Sequence, residues 1–207
     1  MYSPTAFVMD DLHNLHATMR QCRTANFITA TVNGPMATLL PMIIAEEKGE
    51  NGVLYAHLAR ANDQWRMPAI GNALAVFVGP EAYVTPSWYL SKQEHGKVVP
   101  TWNYAAVHAS GPSEFFDNPD RLLDVVDRLT NLHEEGREKP WSVGDAPAAF
   151  ITAQLGGIVG MRMPIVNMEG KRKMSQNRPG PDRAGVKRAL SESSSEMDRN
   201  VSAMIPR

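Results

Sequence analysis

The sequence predicts a mainly β protein with flanking helices, in the α+β class, whose strands pair antiparallel. Between Phe27 and Leu58, short apolar runs alternate with turn residues, as in a chain of hairpins. Few helical patterns separate these runs, and a parallel sheet would need a crossover between its strands. The chain has 207 residues, of which 43% are hydrophobic, enough for one substantial core. These observations together indicate a small antiparallel barrel.

The elements of the first half follow in a clear order. Apolar residues recur at helical spacing after Asp10 and predict an amphipathic helix. The pairs Asn33-Gly34 and Asn51-Gly52 then stand between apolar runs, where they are typical of hairpin turns. The segment from Ala73 to Val78 predicts a nearly continuous apolar strand, and Val98 to Phe116 a long extended one.

The second half begins with a well-marked helix. Asn118 can cap it and Pro119 can occupy its first position, before an apolar stripe at helical spacing. A shorter helix is predicted from Asp145 through Leu155, and a late strand from Ile158 to Met168. We therefore assign residues 1–168 to one domain and expect the polar segment 191–207 to be mobile.

The charge balance limits the classes of partner. With 21 basic and 22 acidic residues, the chain has a net charge of -1 and no general attraction for nucleic acid or anionic lipid. The segment 169–190 is the exception, because seven basic and two acidic residues between Glu169 and Arg188 give it a local charge of +5. Its residues Lys171, Arg172, Lys187 and Arg188 are candidates for DNA contact, and a solvated surface is the alternative.

Cysteine and histidine usage predicts a cytoplasmic protein without a structural metal. The single Cys22 excludes an intramolecular disulfide and a cysteine metal cluster, which suits a reducing compartment. His13 and His16 are three residues apart, but no third metal ligand stands near them. No apolar run approaches the ~20 residues that span a bilayer.

Aromatic residues concentrate in two extended segments and are candidates for a ligand site. Tyr83, Trp88-Tyr89 and the block Thr101-Trp102-Asn103-Tyr104 combine flat apolar faces with polar edges. A planar heterocycle requires both kinds of surface. Packing in a barrel core or at a dimer interface is the alternative, and it is the more common role of aromatic residues in strands.

Two sets of polar residues can bind a phosphate. Arg60 and Asn62 follow a predicted strand. The second set lies late in the chain and consists of Lys171, Lys173, Ser175, Gln176, Asn177 and Arg178. No P-loop and no dinucleotide fingerprint is present. The residues alone do not decide between the two sets.

Several multi-residue blocks resemble the PaiB family, in the order in which that family has them, from Met1 to about Leu190. The blocks include Ala59-Arg60-Ala61-Asn62, Pro86-Ser87-Trp88-Tyr89, Val99-Pro100-Thr101-Trp102-Asn103-Tyr104, and Glu169-Gly170-Lys171 with Lys173 and Ser175-Gln176-Asn177. The resemblance implies an antiparallel six-stranded split β-barrel of the FMN-binding type, in a homodimer with the flavin at the subunit interface. It also implies negative control of transcription.

The same resemblance raises the expectation that the aromatic and polar blocks form a cofactor site. The predicted FMN-binding residues are Arg60, Asn62, Tyr83, Ser87, Trp88, Tyr89, Thr101, Trp102, Asn103, Tyr104, Lys173, Ser175, Gln176 and Asn177.

Three functions are consistent with these observations. The leading hypothesis is a flavin-responsive regulator whose basic segment meets DNA or a protein partner. The second is a flavin-dependent oxidoreductase that acts on a small molecule with NAD(P)H. The third is a flavin-free binding or scaffold protein, because Leu39, Ala56 and Asp63 differ from the residues usual in the family.

Overall fold

The computed structural model describes all residues from 1 to 207. The strands are β1 (Val8–Met9), β2 (Thr24–Thr31), β3 (Gly34–Pro41), β4 (Ile43–Ala45), β5 (Val53–Ala59), β6 (Ala73–Val84), β7 (Thr101–Gly111), β8 (Glu114–Phe116), β9 (Ile158–Pro164) and β10 (Asn167–Lys173). The helices are α1 (Leu12–Cys22), α2 (Ser91–His95), α3 (Pro119–Glu134), α4 (Ala148–Gly156), α5 (Gly180–Ser191) and α6 (Glu196–Met204).

The strands form two sheets. Six strands are hydrogen-bonded in the order β1-β10-β7-β6-β2-β3, and four in the order β4-β5-β9-β8. Strands β2 and β3 pair antiparallel around the Asn33-Gly34 turn, where Gly34 has a φ of +106°. Only glycine adopts such a φ readily. The prediction of a mainly antiparallel β protein with flanking helices is confirmed.

Residues 19–77 and 108–168 form one compact unit, called unit 2 below. It contains the four-stranded sheet, the β2–β3 hairpin and helices α3 and α4. Helix α3 begins as predicted, because the Asn118 side chain accepts a hydrogen bond from the Arg121 amide (3.0 Å) and Pro119 follows it. Its apolar stripe is buried in a core cluster that includes Tyr55 and Phe116. A Cβ at Gly160 of β9 would collide with the ring of Phe116, its partner on β8, so glycine leaves room for this ring.

Residues 1–18, 78–107 and 169–207 form the other compact unit, called unit 1. Its core cluster consists of Ala82, Val84, Tyr89, Ala105, Met174, Val186, Leu190, Val201 and Ile205. Helix α5 approaches the backbone closely, since a Cβ at Gly185 would collide with the carbonyl of Trp88. The side chain of Asp182 in α5 is buried and accepts hydrogen bonds from the Ser91 amide (3.0 Å) and hydroxyl (2.6 Å).

The C-terminal tail differs from the expectation of a polar, mobile segment. After the polar run that ends near Glu196, α6 forms with Ser195 as its cap, and Val201 and Ile205 are buried. These two residues belong to a core cluster that also contains Val84 of β6, Ala105 of β7 and Met174, which are distant in sequence from the tail, so local composition did not reveal their burial. The predicted domain boundary after residue 168 stays a prediction.

No helix is long and apolar enough to cross a membrane.

Candidate functional site

Lys173 lies at the end of β10 and is the centre of the polar site in unit 1. Its ammonium group donates a hydrogen bond to the hydroxyl of Thr101, at the start of β7. Burial lowers the pKa of Lys173; Tyr104 opposes the shift, and the cations Lys171 and Arg178 add to it. Three cations therefore lie close together, an arrangement that favours an anionic ligand.

The turn after β10 is held by side-chain hydrogen bonds. Asn103 and Ser175 are both buried and donate to each other, with distances of 2.9 and 3.2 Å. Ser175 has a φ of +58°, which is unusual for a residue other than glycine. The Gln176 side chain accepts from the Met174 amide (2.5 Å) and donates to the Arg172 carbonyl, while Asn177 is exposed. The turn is thus ordered before any ligand arrives.

The aromatic residues fall into two classes. Tyr83 and Trp102 are 48% and 51% exposed, with ring centroids 5.9 Å apart in an edge-to-face arrangement. Tyr104 is half-buried, with the Lys171 ammonium 5.3 Å from its ring centroid. The exposed pair offers flat surfaces that no core residue covers, as a bound heterocycle requires.

The Trp88 region has the character of packing. Tyr89 is buried in the unit 1 core, and Trp88 packs against the same cluster. The guanidinium of Arg178 lies 4.8 Å from the Tyr89 ring centroid. Ser87 accepts a hydrogen bond from Lys92 (3.1 Å) on the surface. The predicted cofactor contacts of Ser87, Trp88 and Tyr89 stay a prediction.

Arg60 and Asn62 belong to unit 2, where their side chains already have partners. The Arg60 guanidinium donates to the carbonyls of Gly156 (2.8 Å) and Ile158 (3.2 Å), at the end of α4, and lies 3.5 Å from an Asp117 carboxylate oxygen. Asn62 accepts from the Gln64 amide and donates to the Thr38 hydroxyl, both at 2.9 Å. Both residues hold the local backbone in place, and their predicted phosphate contact remains untested.

The four residues predicted to contact DNA have different surroundings. Arg172 and Lys187 donate to the carbonyls of Met204 (3.1 Å) and Ile205 (2.7 Å) at the end of α6. Lys171 donates to the Tyr2 carbonyl (3.1 Å). Arg188 is exposed on α5. A helix C-terminus favours cations, so part of the basic segment stabilises the tail.

Sequence patterns did not reveal the surroundings of His57. Its buried Nδ1 atom has no hydrogen-bond partner, and burial lowers the pKa of this histidine. Arg178, a member of the late set of candidate phosphate residues, belongs to the cation group around Lys173.

Comparisons with known proteins agree with this fold and cofactor. A family model described as "Putative FMN-binding domain" matches residues 1–167. The "Protease synthase and sporulation protein PAI 2" of Bacillus subtilis is 29% identical over 187 residues, which cover 90% of this chain and 87% of that protein.

Among solved structures, the FAD and heme binding protein from Mycobacterium smegmatis matches with a TM-score of 0.58 at 13% identity, over 80% of this chain and 73% of that chain. The flavocytochrome Anf3 from Azotobacter vinelandii gives 0.57 at 11% identity, over 80% and 69%. At this low sequence identity, the two structural similarities show a shared fold and no shared function. The family match confirms FMN as the cofactor at the level of the family. The chain therefore belongs to the PaiB family of FMN-binding domain proteins.

Proposed function

We propose that this chain is a cytoplasmic, FMN-binding negative regulator of transcription that acts as a homodimer. Two observations in unit 1 support the flavin assignment: the cations Lys171 and Arg178 act on Lys173, and Tyr83 and Trp102 form an exposed aromatic pair. A phosphate requires positive charge, and a flavin ring requires flat apolar surfaces. Bound FMN supplies redox chemistry, while the residues of the chain bind and orient it.

Several of the predicted cofactor residues of unit 1 have a role in this proposal. Lys173 has two N–H donors left beyond its bond to Thr101, and these bind the phosphate. The buried Asn103–Ser175 pair fixes the turn that presents Lys173. Tyr83 and Trp102 provide the flat surface. Arg60 and Asn62 are the second candidate for the phosphate.

The support for a homodimer is an apolar, outward-facing surface on the β2–β3 hairpin. Ile28 pairs with Ala37, and Ala30 with Pro35, on the side opposite the buried Phe27 and Thr29. Leu39 on the same face is 62% exposed. An antiparallel sheet that faces water on one side normally carries polar residues there. We propose that a second copy of the chain covers this face and completes the split barrel dimer.

Leu39→Lys tests this interface. A charge placed in an apolar interface is costly when buried, so the variant should elute as a monomer where the wild type elutes as a dimer in gel filtration. Val32→Lys is the matched control, because Val32 is 81% exposed at the tip of the same hairpin. A dimeric Leu39→Lys protein would place the interface elsewhere.

The regulatory role rests on the family and on the basic segment. Arg188 is exposed, whereas Arg172 and Lys187 donate to carbonyls at the end of α6. If Arg188 contacts a DNA phosphate, Arg188→Gln should lower the slope of log affinity against log salt by about one. A shift assay on DNA from upstream of the gene for this protein, at several salt concentrations, measures that slope. Binding that is absent or independent of salt would leave a protein partner as the target.

The first experiment is a visible absorption spectrum of the purified protein before and after FMN is added, with gel filtration of the mixture. Flavin absorbance that elutes with a dimer supports the proposal. An NADH and NADPH oxidation assay on the same sample then separates a regulator from the alternative, a flavin-dependent oxidoreductase. Protein that neither retains nor binds FMN would contradict both and favour a flavin-free scaffold.

A further inference from the structure

Unit 2 contains a cavity of about 300 Å³ that the flavin assignment does not use. Its lining residues come from α1, the β3–β4 connection, β4, β5, β6 and α3. They include Met19, Met42, Leu54, Phe77, Arg20 and Arg128.

The interior walls of this cavity are apolar and belong to the core. Met19, Met42, Leu54 and Phe77 are all buried, although each borders the open space. Protein interiors are close-packed, and voids much larger than a water molecule are few. An apolar space of this kind offers water no polar partners and accepts apolar molecules instead. The two methionines can adjust their shape to an occupant.

The opening of the cavity is polar. Of the lining residues, Arg20, Asn131 and Leu132 are exposed, and Arg128 is half-buried. Arg20 pairs with Glu46, and a guanidinium nitrogen of Arg128 lies 3.6 Å from an Asp124 carboxylate oxygen. Ion pairs between exposed side chains contribute little to stability. A ligand carboxylate can therefore replace these partners, and arginine binds carboxylates in a bidentate geometry.

We propose that this cavity binds a small apolar monocarboxylate, with its hydrocarbon part among the methionines and its carboxylate at Arg20 and Arg128. An apolar cavity of about 150 Å³ accepts benzene. Twice that volume accepts roughly a two-ring aromatic or a medium-length alkyl chain. The class is set by two features together: an interior lined by apolar side chains and two arginines among the lining residues.

Isothermal titration of the full-length protein with 2-naphthoate and with its neutral analogue 2-naphthamide tests the proposal, with and without FMN present. We expect one naphthoate per chain, bound at least about fivefold more tightly than the amide. Arg128→Gln should reduce this preference, because only Arg20 remains, while leaving amide binding unchanged. Leu132→Trp should block the opening and abolish binding of both probes.

Leu123→Trp is the matched control, because Leu123 is exposed on the same helix but does not line the cavity. It should bind like the wild type, and thermal melts should show that every variant is folded. The proposal is overturned if the wild type binds neither probe, if it binds both equally, or if Leu132→Trp binds normally. FMN titration of the same samples reports the proposed flavin function separately, so failure of one leaves the other standing.

Discussion

Arg60 and Lys173 both place a positive charge near the end of a strand, but their surroundings differ in kind. Arg60 donates to two backbone carbonyls at the end of α4 and lies near Asp117. Lys173 donates to one neutral hydroxyl, and the charged groups that shift its pKa downward are cations. Arg60 thus has partners that balance its charge, whereas the surroundings of Lys173 favour an added anion.

The difference shows how to separate a structural cation from one that binds a ligand. Arg60 and Lys173 both place a positive charge near a strand end, so the sequence alone does not distinguish their roles. A cation whose donors are satisfied by carbonyls stabilises the backbone that it contacts. A cation held among other cations is unfavourable without an anion and gains most when one binds. FMN affinity should therefore depend strongly on Lys173 and weakly on Arg60.

Lys173→Met gives the largest expected effect. The substitution keeps much of the side-chain length and removes the charge, so a charge-assisted hydrogen bond to phosphate is lost. Such a bond contributes about 1.5–3 kcal/mol, which corresponds to roughly 10- to 100-fold weaker FMN binding. Quenching of FMN fluorescence on titration with protein measures the dissociation constant.

Riboflavin, which lacks the phosphate, is the matched ligand control for Lys173→Met. Riboflavin should bind the wild type and the variant with the same affinity, because Lys173 is proposed to contact only the phosphate group of FMN. An equal loss for FMN and riboflavin would instead assign Lys173 to the ring or to the general structure of the site.

Arg60→Ala should affect stability more than FMN binding. It removes two hydrogen bonds to the carbonyls of Gly156 and Ile158, so the free energy of unfolding should fall by about 1–3 kcal/mol. Urea denaturation followed by circular dichroism measures this loss. FMN affinity should change by less than about threefold.

The unfolding free energy and the FMN affinity of Arg60→Ala together test the comparison of Arg60 with Lys173. If Arg60→Ala abolishes FMN binding while its unfolding curve stays unchanged, Arg60 is the phosphate ligand and the two cations exchange roles. Arg66→Ala is a suitable control, because Arg66 is an exposed arginine paired with Asp63 in the same unit. Surface pairs of this kind contribute at most about 1 kcal/mol.

Thr101→Val also tests the assignment of Lys173 to the FMN phosphate, and we expect a smaller effect on FMN affinity. The Thr101 hydroxyl accepts the hydrogen bond that orients the Lys173 ammonium. A typical intramolecular hydrogen bond contributes about 0.5–1.5 kcal/mol, so FMN affinity should fall by roughly two- to tenfold. The same fluorescence titration detects it. Unchanged affinity would mean that the ammonium finds its position without Thr101.

Local signals predicted much of the fold. The start of α3 was predictable because Asn118 and Pro119 act on the residues that follow them directly. The β2–β3 turn was predictable for the same reason, since Gly34 adopts its positive φ within the turn. The helix start and the turn depend only on neighbouring residues, so both can be recognised in the sequence.

The parts that escaped prediction depend on residues far apart in the chain. The carbonyls that Arg60 contacts lie 96 and 98 residues away. The burial of Val201 in α6 depends on residues such as Val186 and Met174, which a scan of local composition does not connect with it. For the candidate site, the residue types were predictable from the aromatic and polar blocks. The division between Lys173 and Arg60 was not, because it depends on distant partners.

The pH dependence of FMN binding is the last and smallest test of the comparison. Burial, aided by Lys171 and Arg178, lowers the pKa of Lys173 from the usual 10.5. In the free protein the ammonium therefore loses its proton at a lower pH than an ordinary lysine. Bound phosphate favours the charged form and raises this pKa again, so binding is accompanied by proton uptake. FMN affinity should consequently fall as pH rises through the lowered pKa of Lys173 in the free protein.

Lys173→Arg separates this group from all others that titrate in the same range. Arginine stays protonated throughout, with a pKa above about 12, so the variant should lose the part of the fall that Lys173 causes. Fluorescence titrations of both proteins at each pH give the difference directly, and any decline common to the two belongs to the ligand or to other residues. The free wild type should also become more stable over the same window, because a charged Lys173 opposes folding and that opposition ends when the ammonium loses its proton. Identical pH profiles for wild type and variant would contradict the view that the Lys173 ammonium binds the phosphate, and the comparison with Arg60 would then have to rest on stability alone.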